Sequence, residues 1–289
     1  MRPVNVAPHN PQSPVVVGAL GGSGTRLIAQ ILIKLGYFLG EEIDNQVDTL
    51  TYTRIFQRPS WLKSCADNEL NRHIGLFDRF MRGERWSLAD LRLYLKALFS
   101  DATITGNRRR EIMRALRHFI AKSVRHYEYW GWKEPISHLI LEELATFYPR
   151  MKYIHVVRHG LDMAYSRNDQ QLRYWGDRYG LQYDADPERL PGLQLEYWIR
   201  MNQRAVEIGE RVLGDRFYFL NYDDICAEPE RVIPEFLEFL GHEIEPSMLE
   251  QLITMPQGRT VGKYKSRDSS VFTRDQLQSV QDFGFNFQL

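Results

Sequence analysis

The sequence predicts an α/β protein, a parallel β-sheet flanked by helices, and three observations carry that expectation. Short apolar runs alternate with amphipathic helical stretches along most of the chain, the pattern of strands joined by right-handed crossovers. The first of these runs enters a glycine-rich turn and then a helix, the local geometry that cradles phosphate. Between about 50 and 127 the apolar residues fall at helical spacing, which marks a helical insertion within one domain spanning residues 1–289.

Taken in order, residues 1–13 are polar and proline-rich and read as a flexible leader without the apolar stretch of a secretory signal. A strand at 15–20 feeds "GALGGSGTRLIAQIL" (18–32), a turn and a helix over 24–36 that ends at Gly36. A short strand at 37–39 precedes the acidic segment "GEEID" (40–44). Helical periodicity returns in "LADLRLYLKALF" (88–99) and "REIMRALRHFIAKSV" (110–124). "YWGWKEP" (129–135) reads as strand and turn, 137–149 as a helix, 151–157 as a buried strand, and 162–170 as the opening of the next helix. A long amphipathic helix at 193–212, a strand at 216–222 and a helix at 229–241 follow, then a basic irregular tail at 255–275.

Composition narrows the function classes. Hydrophobic residues make up 43 % of the 289, enough for a sizeable core. Lys+Arg and Asp+Glu both number 37, a net charge of +0 that argues against a nucleic-acid partner. Two cysteines exclude a disulfide framework and suit a reducing compartment. No apolar run approaches the roughly 18 residues of a membrane span. A soluble, cytoplasmic protein is expected.

The glycine loop is not that of a nucleotide triphosphatase. Such a loop needs Gly, four residues, Gly, Lys, then Ser or Thr. With Gly24 as the second glycine, Thr25 stands in the lysine position and Ala19 in that of the first glycine. The charge that would neutralise β- and γ-phosphates is therefore absent, and no apolar run ends in an aspartate suited to magnesium. A second anion signal lies in "YIHVVRHGLDMAYSRN" (153–168). It puts Arg158 at the carboxyl end of a buried strand, Gly160 in the turn and Ser166 in the next helix, where open α/β sheets bind ligands. A guanidinium offers a phosphate a two-pronged donor.

These segments resemble the sulfotransferases that use 3′-phosphoadenosine 5′-phosphosulfate (PAPS). "GGSGTR" (21–26) is similar to their 5′-phosphosulfate loop, and "VVRHGLDMAYS" (156–166) to their 3′-phosphate motif, with Arg and Ser eight positions apart. "LNYDDICAEPERVIPEFLEFLG" (220–241) resembles their strand, acidic pair, proline and helix. The resemblance implies a P-loop-like sulfotransferase fold, with PAPS as co-substrate, the 3′,5′-adenosine bisphosphate (PAP) as product, and no metal. It assigns the donor to Gly21, Gly22, Ser23, Gly24, Thr25, Arg26, Arg158 and Ser166, and to Arg259, Gly262 and Lys263 of the tail. Gly21 and Gly22 replace the usual Pro-Arg or Pro-Lys, so Arg26 or Lys133 must supply the missing charge. Lys133, in "WKEP" (132–135), is implied as the group that stabilises the leaving oxygen.

For the acceptor's base the resemblance points to Glu42, the second acid of "GEE" (40–42), with Glu41, His138 and His155 as alternatives. The acceptor, a small molecule or a glycan, is expected against Tyr174, Trp175, Tyr179 and Tyr183. A basic stretch, Arg108, Arg109, Arg110, Arg114, Arg117, Lys122 and Arg125, either steers an acidic acceptor or is a solvated face. Two further readings stay open: a nucleotide kinase or hydrolase, and a non-catalytic nucleotide-binding protein.

Overall fold

In the computed structural model residues 13–100, 108–120 and 127–287 are described. Strand β1 (Val15–Ala19) leads into α1 (Thr25–Lys34). The insertion contributes α2 (Leu50–Phe56), α3 (Pro59–Leu62), α4 (Asp67–Met81), α5 (Leu88–Ser100) and α6 (Arg108–Ile120). Then come β2 (Gly131–Lys133), α7 (Leu141–Phe147), β3 (Lys152–Val157), α8 (Gly160–Ala164), α9 (Gln170–Trp175) and α10 (Leu190–Leu213). Strand β4 (Phe217–Asn221) is followed by α11 (Tyr222–Ala227), α12 (Pro229–Leu240), α13 (Pro246–Ile253) and α14 (Arg274–Asp282). Residues 1–12 of the leader, Lys122 and Arg125 lie outside the described residues.

The strands form one parallel sheet in the order β2-β1-β3-β4. β1 is central, with Val17 opposite Lys133 on one side and Ile154 on the other. Its valines are fully buried on both faces, as expected of a parallel strand covered by helices on either side. Successive side chains alternate between two cores. Val15, Val17, Ile154 and Val156 pack with α1 and α12, whereas Val16, Tyr153 and Val157 face the cluster that includes the insertion. Trp132 of β2 joins that cluster, its ring 5.7 Å from Tyr52 of α2 and 5.1 Å from Phe77 of α4. The insertion is thus anchored on the sheet's edge strand by aromatic burial. Among the described residues no helix is long and apolar enough to cross a membrane.

Several expected elements change shape. The strand at 37–39 shrinks to a single parallel bridge between Phe38 and Trp130, because Gly40 at φ 117° turns the chain away. The helix at 137–149 opens as a 3₁₀ turn, Pro135–Ile140. The helix from 162 onward breaks: α8 ends before Ser166, whose Oγ accepts from the Asn168 amide while Asn168 Oδ1 accepts from the Gln170 amide. Such side-chain bonds to nearby backbone compete with the helix. Ser166 therefore stands in a loop rather than in a helix. Helices α11, α13 and α14 are not among the expected elements, although Thr273 and Gln276 form a capping box at α14.

Two buried histidines flank the sheet. His155 of β3 bonds through Nε2 to Asn202 Oδ1 at 2.8 Å, and His138 approaches Gln171 Oε1 at 3.4 Å. Burial pushes His155 down to about 4 and His138 to about 3. Below an unfolded value of about 6.5 the unfolded chain takes up protons that these folded sites refuse. Between pH 6.5 and 5 each therefore costs up to about 2 kcal/mol of stability. Glu134, raised by burial and then by the Asp48 charge, works in the opposite sense, one group against two histidines. The melting temperature is expected to be lower at pH 5 than at pH 7; equal values would contradict this account of the core.

Candidate active site

The sheet's carboxyl edge is where the expected residues meet. After β1 the chain makes a tight turn, with the Ser23 amide bonded to the Leu20 carbonyl at 3.1 Å. Gly24 then opens α1 at φ 92°, and a Cβ there would lie 2.1 Å from the Tyr222 ring. Gly22 is also left-handed, at φ 100°, and a Cβ on it would meet Met163 and Ser166 Oγ. These two positions require glycine. No side chain caps α1 and no acid stands in its first turn. The first amides and the positive end of the helix dipole are therefore presented for an anion.

A cavity of about 900 Å³ opens over this turn. It is lined by Gly21, Gly22, Gly24, Thr25 and Arg26 from the loop, by Lys133 and Arg158 from the ends of β2 and β3, and by Arg259 from the tail. Ser23 is buried beneath the turn and lines neither cavity. Arg158 also borders a second recess of about 450 Å³, formed with Ser166, Arg167, Lys263 and Arg267. Two cationic recesses joined at one guanidinium would suit a ligand with two separated anionic groups.

Asp162 organises the second recess. Its fully buried carboxylate accepts from Arg158 Nη2 at 2.9 Å, from the Gly262 amide at 2.8 Å and from the Tyr264 amide at 2.9 Å. This clasp brings the tail segment against α8 and sets the guanidinium of Arg158. Gly262 thus acts through its backbone. The sequence signal for Asp162 is its spacing of four from Arg158 at the start of a helix; the tail as its partner is visible only in three dimensions.

Lys133 ends β2, and its ammonium is almost wholly buried. It pairs with Asp48 and donates to the Gln46 carbonyl at 3.1 Å. Glu134 follows, lining the same cavity, with Thr53 donating to its carboxylate at 2.5 Å. Burial, then the neighbouring Asp48 charge, pushes Glu134 well above the usual carboxylate range. Burial likewise raises Asp48, against the lowering influence of Lys133. Neither carboxylate is singled out by the sequence, since one falls in the turn after the acidic segment and the other inside "WKEP".

Glu42 is placed elsewhere. It lines neither cavity, and its carboxylate is held by Arg54 of α2 and Arg114 of α6, the latter at 2.8 Å from Oε1. Burial alone would raise its pKa, but the bonds and charges of the two guanidiniums outweigh it and hold the carboxyl below its usual range. Arg54 also pairs with Glu111 at 3.0 Å. A carboxylate so engaged is a weak base, and the arrangement fits an anchor for the insertion instead. Glu41 lies 3.7 Å from His118. On the basic stretch, Arg114 is an ion-pair partner rather than a free steering charge.

The expected acceptor wall also disperses. Trp175 and Tyr179 are core residues, Tyr174 packs on that core, and Tyr183 donates to Asp169 at 2.5 Å; none lines either cavity. Their aromatic surface is used for burial. His138 and His155 are likewise enclosed in the core.

Fold and site together define an α/β protein with a lysine-free glycine loop and an uncapped helix N-terminus at the end of its central strand. The sulfotransferase family profile matches residues 14–246, and the chain belongs to that family. In structure it resembles the sulfotransferase domain from the Synechococcus PCC 7002 olefin synthase, at 15 % identity and a TM-score of 0.53, covering 100 % of this chain and 99 % of that one. It also resembles the sulfotransferase domain from the curacin biosynthetic pathway, at 14 % identity and a TM-score of 0.51, covering 96 % and 99 %. At these identities the likeness is one of fold. No curated protein matches the chain significantly in sequence.

Glu42→Gln removes the anion between two guanidiniums and should destabilise the protein by roughly 1–3 kcal/mol. The penalty should shrink as pH falls, because the depressed carboxyl gives stability that is present above its unfolded pKa and lost as pH drops through the folded one. Thermal melting of both forms at pH 7 and pH 4 checks this; an unchanged melting temperature at pH 7 would refute the anchoring role.

Proposed function

We propose that the protein transfers a sulfuryl group from PAPS to a hydroxyl or amine of a small-molecule or glycan acceptor, by in-line displacement. The observation that carries this reading is the meeting of the glycine loop, Lys133 and Arg158 in one cavity, with Arg158 also bordering a second recess lined by Arg167, Lys263 and Arg267. The donor carries anionic groups at both ends of its sugar. Its phosphosulfate would lie against the amides of residues 21–26, and its 3′-phosphate in the recess of Arg158, Ser166 and Lys263. Arg259 lines the main cavity beside this path.

Each residue then has a physical task. The loop amides and the α1 dipole hold the phosphosulfate while charge spreads over the equatorial oxygens. Lys133 stands at the end of β2 beside the loop, where an ammonium stabilises charge developing on the leaving phosphate oxygen. Arg26, whose guanidinium bonds to Gln46 Oε1, is a second cation beside the loop. The sulfuryl group is less charged than a phosphoryl group, so amides, hydroxyls and these cations suffice in this reading without magnesium. The two free cysteines, Cys65 and Cys226, suit the reducing cytoplasm.

A kinase or hydrolase reading would place ATP in the same cavity. ATP lacks the 3′-phosphate that would fill the second recess, so calorimetry separates the two. Wild type is expected to bind PAP and to bind ATP with magnesium poorly; the reverse preference would overturn the proposal. Arg158→Ala should weaken PAP binding by roughly 1.5–3 kcal/mol through loss of a charge-assisted fork.

Lys133→Ala should lower turnover by about 10²–10³-fold and donor affinity far less, because its contact strengthens as charge develops in the transition state. A panel of sugars, phenols, peptides and amines with labelled PAPS supplies the assay. An equal loss of affinity with turnover unchanged would reassign Lys133 to ground-state binding.

A further inference from the structure

One short loop holds both cations beside the glycine turn. Residues 43–49 form a narrow bend closed by an antiparallel bridge between Ile43 and Thr49. Asp44 Oδ1 accepts from the amides of Gln46 and Asp48, at 2.8 and 2.9 Å. Thr49 is tied to β2, its amide bonded to the Lys133 carbonyl at 2.9 Å and its Oγ1 accepting from the Lys133 amide at 3.2 Å. At the bend Val47 has φ 62°, the one non-glycine residue among those described at positive φ. A β-branched residue is sterically disfavoured there and persists only when its surroundings over-determine it. Val47 is buried against the core of α1, and that burial holds the bend in place.

The consequence is chemical. Gln46 and Asp48 project from this bend into the main cavity, where Gln46 Oε1 engages Arg26 and Asp48 pairs with Lys133. A phosphosulfate seated on the loop amides would compete with the Asp48 carboxylate for the same ammonium. When Lys133 turns to that anion, the Asp48 carboxylate stays in the cavity, because its backbone remains pinned by Asp44 and Thr49. Glu42 is held by two arginines outside the cavity. Glu134 is nearly enclosed and already accepts from Thr53. Asp48 is the more open of the two carboxylates beside Lys133, its side chain 22 % exposed.

We propose that Asp48 is the counter-ion that Lys133 exchanges for the donor, and that the carboxylate so released takes the acceptor's proton. The inference rests on the sulfotransferase reading. As the acceptor oxygen bonds to sulfur, its proton passes to Asp48. The bond from sulfur to the 5′-phosphate oxygen breaks, and its electron pair stays on that oxygen, facing Lys133. No other reactant is needed. The groups that face Asp48 are Lys133 and Glu134 at the end of β2, Asp44 within the bend and Arg26 on α1. Burial keeps Asp48 more basic than an exposed aspartate, which suits a proton acceptor.

The test has two readouts on Asp48→Asn and Asp48→Glu, each first shown to melt cooperatively. In calorimetry Asp48→Asn should bind PAP roughly three- to tenfold more tightly than wild type, since the ammonium has lost its competing carboxylate. With the first acceptor that wild type sulfates in the labelled-donor panel, the same variant should lose about 10²–10⁴-fold in turnover. Asp48→Glu, which keeps a carboxylate, should recover part of the turnover and show no gain in PAP affinity. Tighter binding joined to lost turnover is a signature that a purely structural bend would not give. PAP affinity unchanged or weakened in Asp48→Asn, or turnover within tenfold of wild type, overturns the proposal. A wild type that binds no PAP, or binds it and sulfates nothing in the panel, overturns the transfer reading itself and this inference with it.

Discussion

The central position of β1, hydrogen-bonded in parallel to both β2 and β3, is the constraint on which the site depends. Parallel neighbours end on the same side of a sheet, so the glycine turn after β1, Lys133 at the end of β2 and Arg158 just past β3 open on one edge. No single segment contains these three features, and Arg26 and Arg158 lie 132 positions apart in sequence. The sheet's register brings them to one cavity. The complete burial of Val15, Val16 and Val17 makes that register costly to slip, because displaced valines would leave the cores on either face.

Around this edge the polar groups form separate circuits with separate tasks. Glu42, Arg54, Glu111 and Arg114 join the acidic segment to α2 and α6, and so fix the insertion beside the cavity. Asp162 gathers Arg158 and the amides of Gly262 and Tyr264, and so closes the tail over α8. Asp48 holds Lys133, and Glu134 is stored beside it. The first two circuits leave little freedom for their carboxylates. The third lies in the cavity and can be rearranged by an incoming anion, which is why the chemistry is assigned there.

What was legible in the sequence follows from how local each signal is. The glycine turn and Arg158 are announced by strand–turn–helix patterns within a few residues, and both lie at the carboxyl edge of the sheet, lining the main cavity. The ion pairs of Glu42 are not legible in the sequence, because the arginines that engage it lie 12 and 72 positions away, beyond the reach of reasoning about neighbours on an extended chain. Tyr174, Trp175, Tyr179 and Tyr183 carry the same pattern whether they line a pocket or fill a core, and only packing tells the two apart. Asp48 depends on Val47 adopting a left-handed conformation that nothing in a valine advertises. Ser166 was expected in a helix that Ser166 and Asn168 themselves interrupt through bonds to the backbone.

In the proposed binding mode one ligand bridges the two recesses through its two phosphates. A crystal structure of the protein with PAP tests it most directly. The 5′-phosphate is expected on the amides of residues 21–26 with Lys133 turned toward it, and the 3′-phosphate against Arg158, Ser166 and Lys263. A nucleotide bound away from the glycine turn, or with its 3′-phosphate in solvent and Arg158 turned away from it, would contradict the claim.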